Sequence, residues 1–142
     1  MKLIELTHKN EILQTYGIYK HCMFMPTEEK FNTKVDQFIN DNSVSFFACF
    51  EQGKIEGVIV VSFLDQSKIE IIGIAVDLSA RNKGVGSYMI NQLVNAHGSL
   101  YVKAETDNEA VGFYRKNGFK ITELFEIYGD ETVIRYRCEL NK

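Results

Sequence analysis

Cysteine is scarce in this chain. Cys22, Cys49 and Cys138 are odd in number and widely spaced, with no C-x-x-C pair, so they are read as reduced thiols rather than a disulfide framework. No two Cys or His residues stand at the spacing of zinc ligands, and His8, His21 and His97 share no local signature with a cysteine, so no metal is expected. A basic excess is also lacking. Sixteen Lys and Arg face 19 Asp and Glu, for a net charge of −3, and no global field draws in nucleic acid. No apolar run reaches the roughly 18 residues of a membrane span, and the opening MKLIELTHKNEIL lacks the apolar core of a signal peptide. These absences point to a cytoplasmic protein with neither nucleic-acid nor membrane partners. With 142 residues, 45% hydrophobic, residues 1–142 are expected to fold as one domain around one core.

The pattern of what is present gives an element order. LIEL (Leu3–Leu6) reads as a strand, and Thr7 as a cap for a helix running from His8 to about Met23. Pro26, the only proline, interrupts. Thr27 opens a second helix with Phe31, Val35, Phe38 and Ile39 on one stripe. Three strands follow in antiparallel order: Val44–Glu51, Ile55–Leu64 and Ile69–Val76. They are joined by turns at Gln52-Gly53-Lys54 and Asp65-Gln66-Ser67. Gly84–Ala96 then has helical spacing, Leu100–Thr106 reads as a strand, and Asn108–Lys116 as a helix stopped by Asn117-Gly118. Phe119–Gly129 and Glu131–Leu140 form a closing hairpin. The helix between Ile69–Val76 and Leu100–Thr106 makes those two strands parallel. The result is a mixed sheet with helices on its faces.

One turn stands out. Arg81-Asn82-Lys83-Gly84-Val85-Gly86 joins the apolar strand IEIIGIAV to a helix. Backbone N–H groups at a helix start lack intrahelical partners, the helix dipole adds partial positive charge, and glycine permits close approach and positive φ. With two cations, these features suit a pyrophosphate. A flexible turn that merely needed glycines is the plainer alternative. Neither the Walker pattern nor the dinucleotide fingerprint fits, since Met89 stands where the third glycine of G-x-G-x-x-G belongs.

Arg81–Gly86 matches the Q/R-x-x-G-x-G/A pattern of the GNAT superfamily of acetyl-CoA-dependent N-acetyltransferases. Asn108 to Phe119 resembles the family's second motif, N-x-x-A-x-x-x-Y-x-x-x-G-F, with Ala110, Tyr114, Gly118 and Phe119 in place and Asn108 one position closer to the alanine than the pattern has it. The motifs come in family order with a strand between them, and the resemblance covers nearly the whole chain. It implies an α+β, α/β/α layered fold. The mixed, mostly antiparallel sheet would have about seven strands, splayed between the fourth and fifth, with helices on both faces. It also implies acetyl-CoA in the split. The pyrophosphate would lie on Arg81, Asn82, Lys83, Gly84, Val85, Gly86 and Ser87. The pantetheine arm would lie along the backbone of Ile74, Ala75 and Val76, with Asn108 and Tyr114 also near the cofactor. Asn82 replaces a glycine common in the family, a residue type that tolerates left-handed φ.

Acetyl transfer needs an amine stripped of its proton, whose free pKa is about 10.4, a donor for the oxyanion and an acid for the leaving thiolate. The resemblance makes Tyr114 the acid; a packed aromatic beside Phe113 is the alternative. Glu70, the only charge within Ile69–Val76, is the candidate base through a water. Strand alternation, without a bulge, sets it on one face with Ile72 and Ile74. A strand-end carboxylate paired with Lys68 or Lys54 is its alternative. The oxyanion donor is expected among the main-chain N–H groups of Ile74 and Val76, and Asn108 doubles as a helix N-cap.

The acceptor, a primary amine of a small molecule or a protein, is left open. His21–Phe31 lies where relatives build the acceptor wall, and Met23, Phe24 and Met25 either line a pocket or join the core. Glu28, Glu29 and Asp36 either attract a cationic amine or form a solvated helix face. A sensor that holds an acyl-CoA without turnover is the rival to an enzyme acting by direct attack. The last hairpin, apolar at Phe125, Ile127, Val133 and Ile134, either pairs two copies into a homodimer or covers its own sheet.

Overall fold

Apolar residues alternate or run continuously through seven stretches, and these become the strands of one sheet. The computed structural model describes every residue except Ser99 and Lys142, which lie outside the described part of the expected 1–142 domain. The strands are β1 (Lys2–Leu6), β2 (Val44–Glu51), β3 (Lys54–Asp65), β4 (Lys68–Val76), β5 (Tyr101–Thr106), β6 (Lys120–Tyr128) and β7 (Glu131–Asn141). Their order in the sheet is β1-β2-β3-β4-β5-β7-β6. Every neighbouring pair is antiparallel except β4 and β5. The turn between β2 and β3 places Gln52 and Gly53 at φ 51° and 78°, the left-handed pair that a two-residue hairpin requires.

Helices cover both faces. On one side α1 (Lys9–Leu13), α2 (Tyr16–Tyr19) and α3 (Glu28–Ile39) bury Ile12, Tyr19, Phe31 and Val35 against Phe46, Val58 and Val60. On the other, α4 (Val85–His97) and α5 (Val111–Lys116) bury Met89, Leu93, Val111 and Tyr114 against Ile59, Ile69, Ile71 and Val102. This is the layered α+β arrangement expected from the motifs. Among the described residues no helix is long and apolar enough to cross a membrane.

Several boundaries differ from expectation. The single helix from His8 to Met23 is broken into α1, α2 and a 3₁₀ turn at Lys20–Cys22. At the first break, both the backbone N–H and the hydroxyl of buried Thr15 donate to the Ile12 carbonyl, at 3.0 and 2.7 Å, which competes with continuation of the helix. Thr7 caps nothing, since His8 holds the N-cap position without a side-chain bond. Thr27 does cap α3, accepting from the Lys30 N–H at 3.1 Å.

The parallel pairing of β4 with β5 is short. It runs through Lys68↔Tyr101, Ile69↔Val102 and Glu70↔Lys103 and then stops, although β4 continues to Val76 and β5 to Thr106. The two strands part after Glu70, which is the splay expected between the fourth and fifth strands. On its other edge β4 stays paired with β3 as far as Val76↔Gly57. Only one edge of its outer half therefore faces open space.

Candidate active site

A second irregularity shapes β4. Its register against β3 passes from Val61↔Ile71 to Val60↔Gly73, which leaves Ile72 as an extra residue. Such a bulge reverses the facing of everything beyond it. Before the bulge Ile69 and Ile71 face the α4–α5 core. After it Ile74 and Val76 pack on that core, and Ala75 joins the opposite one. The expected shared face of Glu70, Ile72 and Ile74 is therefore corrected: Ile74 lies across the sheet from Glu70. Gly73 sits under Tyr19, where a β-carbon would stand 2.8 Å from the tyrosine hydroxyl oxygen.

The outer end of β4 delivers the chain to the glycine turn. Asn82 and Gly84 adopt φ 64° and 78°, so the asparagine takes the left-handed conformation its side chain tolerates. A β-carbon on Gly84 would meet nothing within 4 Å, whereas one on Gly86 would stand 2.8 Å from Phe113 Cε1. Gly84 is therefore a conformational requirement beside open space. Gly86 is a packing requirement that lets α5 close on α4, a different reason from approach to a phosphate. Gly84 is the N-cap of α4 and offers no side-chain bond. The first-turn N–H groups of Val85, Gly86 and Ser87 precede the first intrahelical partner, Tyr88 N–H to Gly84 C=O at 2.9 Å. Arg81 folds back, its Nε 3.4 Å from the Val76 carbonyl, and Lys83 is exposed. Amides and cations thus gather at the open end of the split.

Tyr114 lies in the α4–α5 core, 4% exposed, with edge contacts to Phe113 and Phe119 at ring-centroid distances of 5.2 and 5.1 Å. Burial pushes its phenol well above the usual tyrosine range, and the Cys138 and Cys22 thiols push the same way. The group stays protonated at any physiological pH. Asn108 is not the helix N-cap. Ala110 takes that position, and the Asp107 carboxylate accepts from the Glu109 and Ala110 N–H groups at 3.0 Å each. Asn108 Oδ1 instead accepts from the Tyr136 hydroxyl at 3.2 Å.

Glu70 stands at the point where the strands part, half-exposed, with Oε2 3.9 Å from Lys103 Nζ. Neither Lys68 nor Lys54 is its partner; Lys54 lies 3.9 Å from Asp77. The structure therefore brings the glycine turn and the free edge of β4 to one split, with Tyr114 in the α4–α5 core beside it and Glu70 at its apex, on the opposite face from Ile74.

An open cleft of about 710 Å³ adjoins the bulge on the α1–α3 side, lined by Tyr19, Cys22, Met23, Phe24, Ile72 and residues of α3. Cys22 falls within the expected wall, His21–Phe31, whereas Tyr19 and Lys34 lie outside it. Tyr19 packs its ring on Phe31 at 5.2 Å, and burial followed by the neighbouring Cys22 raises its phenol. Cys22 opens to solvent, yet dense packing about its sulfur raises the thiol to about 11, opposed first by the Ile74 main-chain N–H and then by Lys34. That N–H, an expected oxyanion donor, is therefore aimed at the same space as the sulfur. Helical spacing marks Tyr19 in the sequence, but nothing there pairs Cys22 with a strand so distant along the chain. Of the expected wall residues, Met23 and Phe24 line the cleft and Met25 does not. Phe24 is 86% exposed, so it is no part of the core. Among the described residues no group of three His, Cys, Asp or Glu is set to hold a metal.

The family model described as the acetyltransferase (GNAT) family matches residues 12–119, more than half of the chain. Solved structures match almost the full length at low identity. The ribosomal-protein-S18-alanine N-acetyltransferase from Escherichia coli shares 16% identity at a TM-score of 0.74, covering 99% of this chain and 92% of that one. A GNAT family acetyltransferase from Elizabethkingia anophelis with acetyl-CoA bound shares 18% at 0.71, covering 99% and 97%. A variant of the spermidine N-acetyltransferase SpeG from Vibrio cholerae shares 13% at 0.73, covering 99% and 92%. At these identities the likeness to solved structures establishes the fold.

Proposed function

The chain belongs to the GNAT family of acetyltransferases and is an acyltransferase, and from that premise we propose that it moves an acetyl group from acetyl-CoA to a primary amine by direct attack in a ternary complex. The observation that carries the proposal is the parting of β4 from β5 beyond Glu70↔Lys103, which opens one β4 edge between the glycine turn and the buried Tyr114. A relative of the same fold is described with acetyl-CoA bound, which supports the choice of cosubstrate.

The residues fit that ligand. The N–H groups of Gly84, Val85, Gly86 and Ser87, with Arg81, Asn82 and Lys83, would hold the pyrophosphate. Main-chain groups on the free edge of β4, between Ile74 and Val76, would pair with the amide-bearing arm. Asn108 would contact the same arm while keeping its bond to Tyr136. Glu70 takes a proton from the incoming amine through a water, and its ion pair with Lys103 holds the carboxylate at the apex. As the amine nitrogen bonds to the thioester carbon, the Ile74 N–H donates to the oxygen that becomes negative. The carbon–sulfur bond then breaks and the Tyr114 hydroxyl protonates the departing sulfur, the phenolate regaining a proton through water as the acetylated nitrogen sheds its second one. A phenol raised by burial holds its proton until that moment, which suits a donor to a developing thiolate.

A sensor that binds acyl-CoA without turnover would need neither Tyr114 nor Glu70. Thermal shift with acetyl-CoA, CoA and NAD, followed by thiol release across a panel of amines, separates the two. Stabilisation by both CoA species with release on at least one amine supports the enzyme; stabilisation without release on any supports the sensor. The exposed apolar side chains of the β6–β7 hairpin, Phe125, Ile127, Tyr128 and Ile134, support pairing of two copies there. Sedimentation of the wild type against Phe125→Glu tests that.

A further inference from the structure

Charge within the open cleft runs against the acidic balance of the chain. The α3 residues lining it are Glu29, Lys30, Thr33 and Lys34, with Thr27 at the cap, so two ammonium groups face one carboxylate. The acidic residues nearby have other duties. Glu28 and Glu29 occupy the first turn of α3, where the helix dipole favours negative charge. Asp36 is 2.6 Å from Lys9 on the α1 side. The lysines are not so accounted for. Lys30 Nζ donates to the Met25 carbonyl at 2.9 Å, which fixes it at the rim. Neither lysine has a carboxylate within 4 Å among the described residues.

Lys30 and Lys34 are one helical turn apart, an arrangement of like charges that costs stability unless an anion lies between them. Lys34 acts on the Cys22 thiol, whose sulfur faces the Ile74 N–H. Lys34, Cys22 and the bulge residue Ile72 line the same cleft. The cleft also holds an apolar wall of Met23, Phe24 and Ile72, so apolar and cationic linings meet beside the bulge. Positive charge also depresses the pKa of an incoming ammonium, which favours the uncharged nucleophile.

We propose that the acceptor is a small amine that also carries an oxyanion, a carboxylate or a phosphate, which Lys34 and Lys30 bind at the rim of the cleft beside the β4 bulge. This rests on the acetyltransferase reading and narrows its substrate class: polyamines and aminoglycosides are disfavoured.

The test compares matched amines under saturating acetyl-CoA: hexylamine with 6-aminohexanoate, ethanolamine with phosphoethanolamine, and spermidine as the polycation. The anionic member of a pair should have the higher kcat/KM by roughly tenfold, the scale of one charge-assisted hydrogen bond, and added salt should shrink the gap. Which pair shows the larger gap tells carboxylate from phosphate. Lys34→Gln should remove most of the preference and Lys34→Glu reverse it. The acetyl-CoA KM should stay unchanged and the melting temperature should not fall, since Lys34 is exposed, repels Lys30 one turn away and lies outside the proposed cofactor site. Preference for spermidine, or a ranking untouched by Lys34→Glu, overturns the inference while leaving the acetyltransferase intact. Absence of acetyl-CoA stabilisation and of release on every amine overturns both.

Discussion

Phe113 closes over Gly86 so tightly that a β-carbon at position 86 would stand 2.8 Å from its Cε1. The second glycine of the turn is thus held by the contact between α4 and α5, and the first by backbone conformation. Gly86→Ala should cost roughly 1–3 kcal/mol, the usual penalty of an overpacked contact, and Phe113→Leu in the same chain should recover part of it. Urea unfolding measures both; a fully stable Gly86→Ala would mean that the ring moves aside freely.

Gly84 differs from its neighbour. Its φ of 78° costs an L-residue about 1–2 kcal/mol, but no atom crowds it. Gly84→Ala should therefore lose acetyl-CoA affinity more than stability, because a methyl group would project where a phosphate would sit. Calorimetric titration alongside thermal melting separates the two. Equal affinity would remove Gly84 from the cofactor site.

Tyr114→Phe should lower kcat by about a hundredfold, the common scale for a lost acid, with acetyl-CoA affinity preserved. No hydrogen bond from its hydroxyl exists among the described residues, so the variant should melt no lower than wild type. A purely structural role predicts the reverse: turnover kept.

Glu70→Gln should remove the acidic limb of the kcat/KM profile. An unchanged limb in Glu70→Gln returns Glu70 to the plainer role of a strand-end ion pair.

Cys22 gives a prediction in pH. Alkylation needs the thiolate, and a thiol raised to about 11 is almost wholly protonated near neutrality. Iodoacetamide labelling should be slow at pH 7 and climb steadily with pH toward 11, and acetyl-CoA should slow it. A rate that levels off near the ordinary thiol range, or one indifferent to acetyl-CoA, contradicts the packing of Cys22 against Ile74.

Much of this was legible in the sequence, for reasons that differ by element. Gly84 and Asn82 sit in the left-handed region, and a residue type signals that directly. The splay after Glu70 followed from the resemblance, since pairing length is set by packing on both faces and not by the strand residues alone. The bulge at Ile72 was illegible: an unbroken apolar run carries no mark of where one residue is extra, so Ile74 was assigned to the wrong face. The break at Thr15 was missed because a hydroxyl bond to Ile12 overrode helical spacing. The cationic rim was missed for a third reason. Glu28 and Glu29 read equally as a lure for a cationic amine or a solvated face, while Lys34 gains meaning only where it lines one cleft with Cys22 of the 3₁₀ turn.

The central claim is that acetyl-CoA lies in the split, gripped at the glycine turn and aimed at Tyr114. A crystal structure of the acetyl-CoA complex tests it most directly. The account predicts pyrophosphate oxygens on the N–H groups of Val85, Gly86 and Ser87, and the thioester sulfur within hydrogen-bond reach of the Tyr114 hydroxyl. Pyrophosphate bound elsewhere, or a phenol turned from the sulfur, would contradict it.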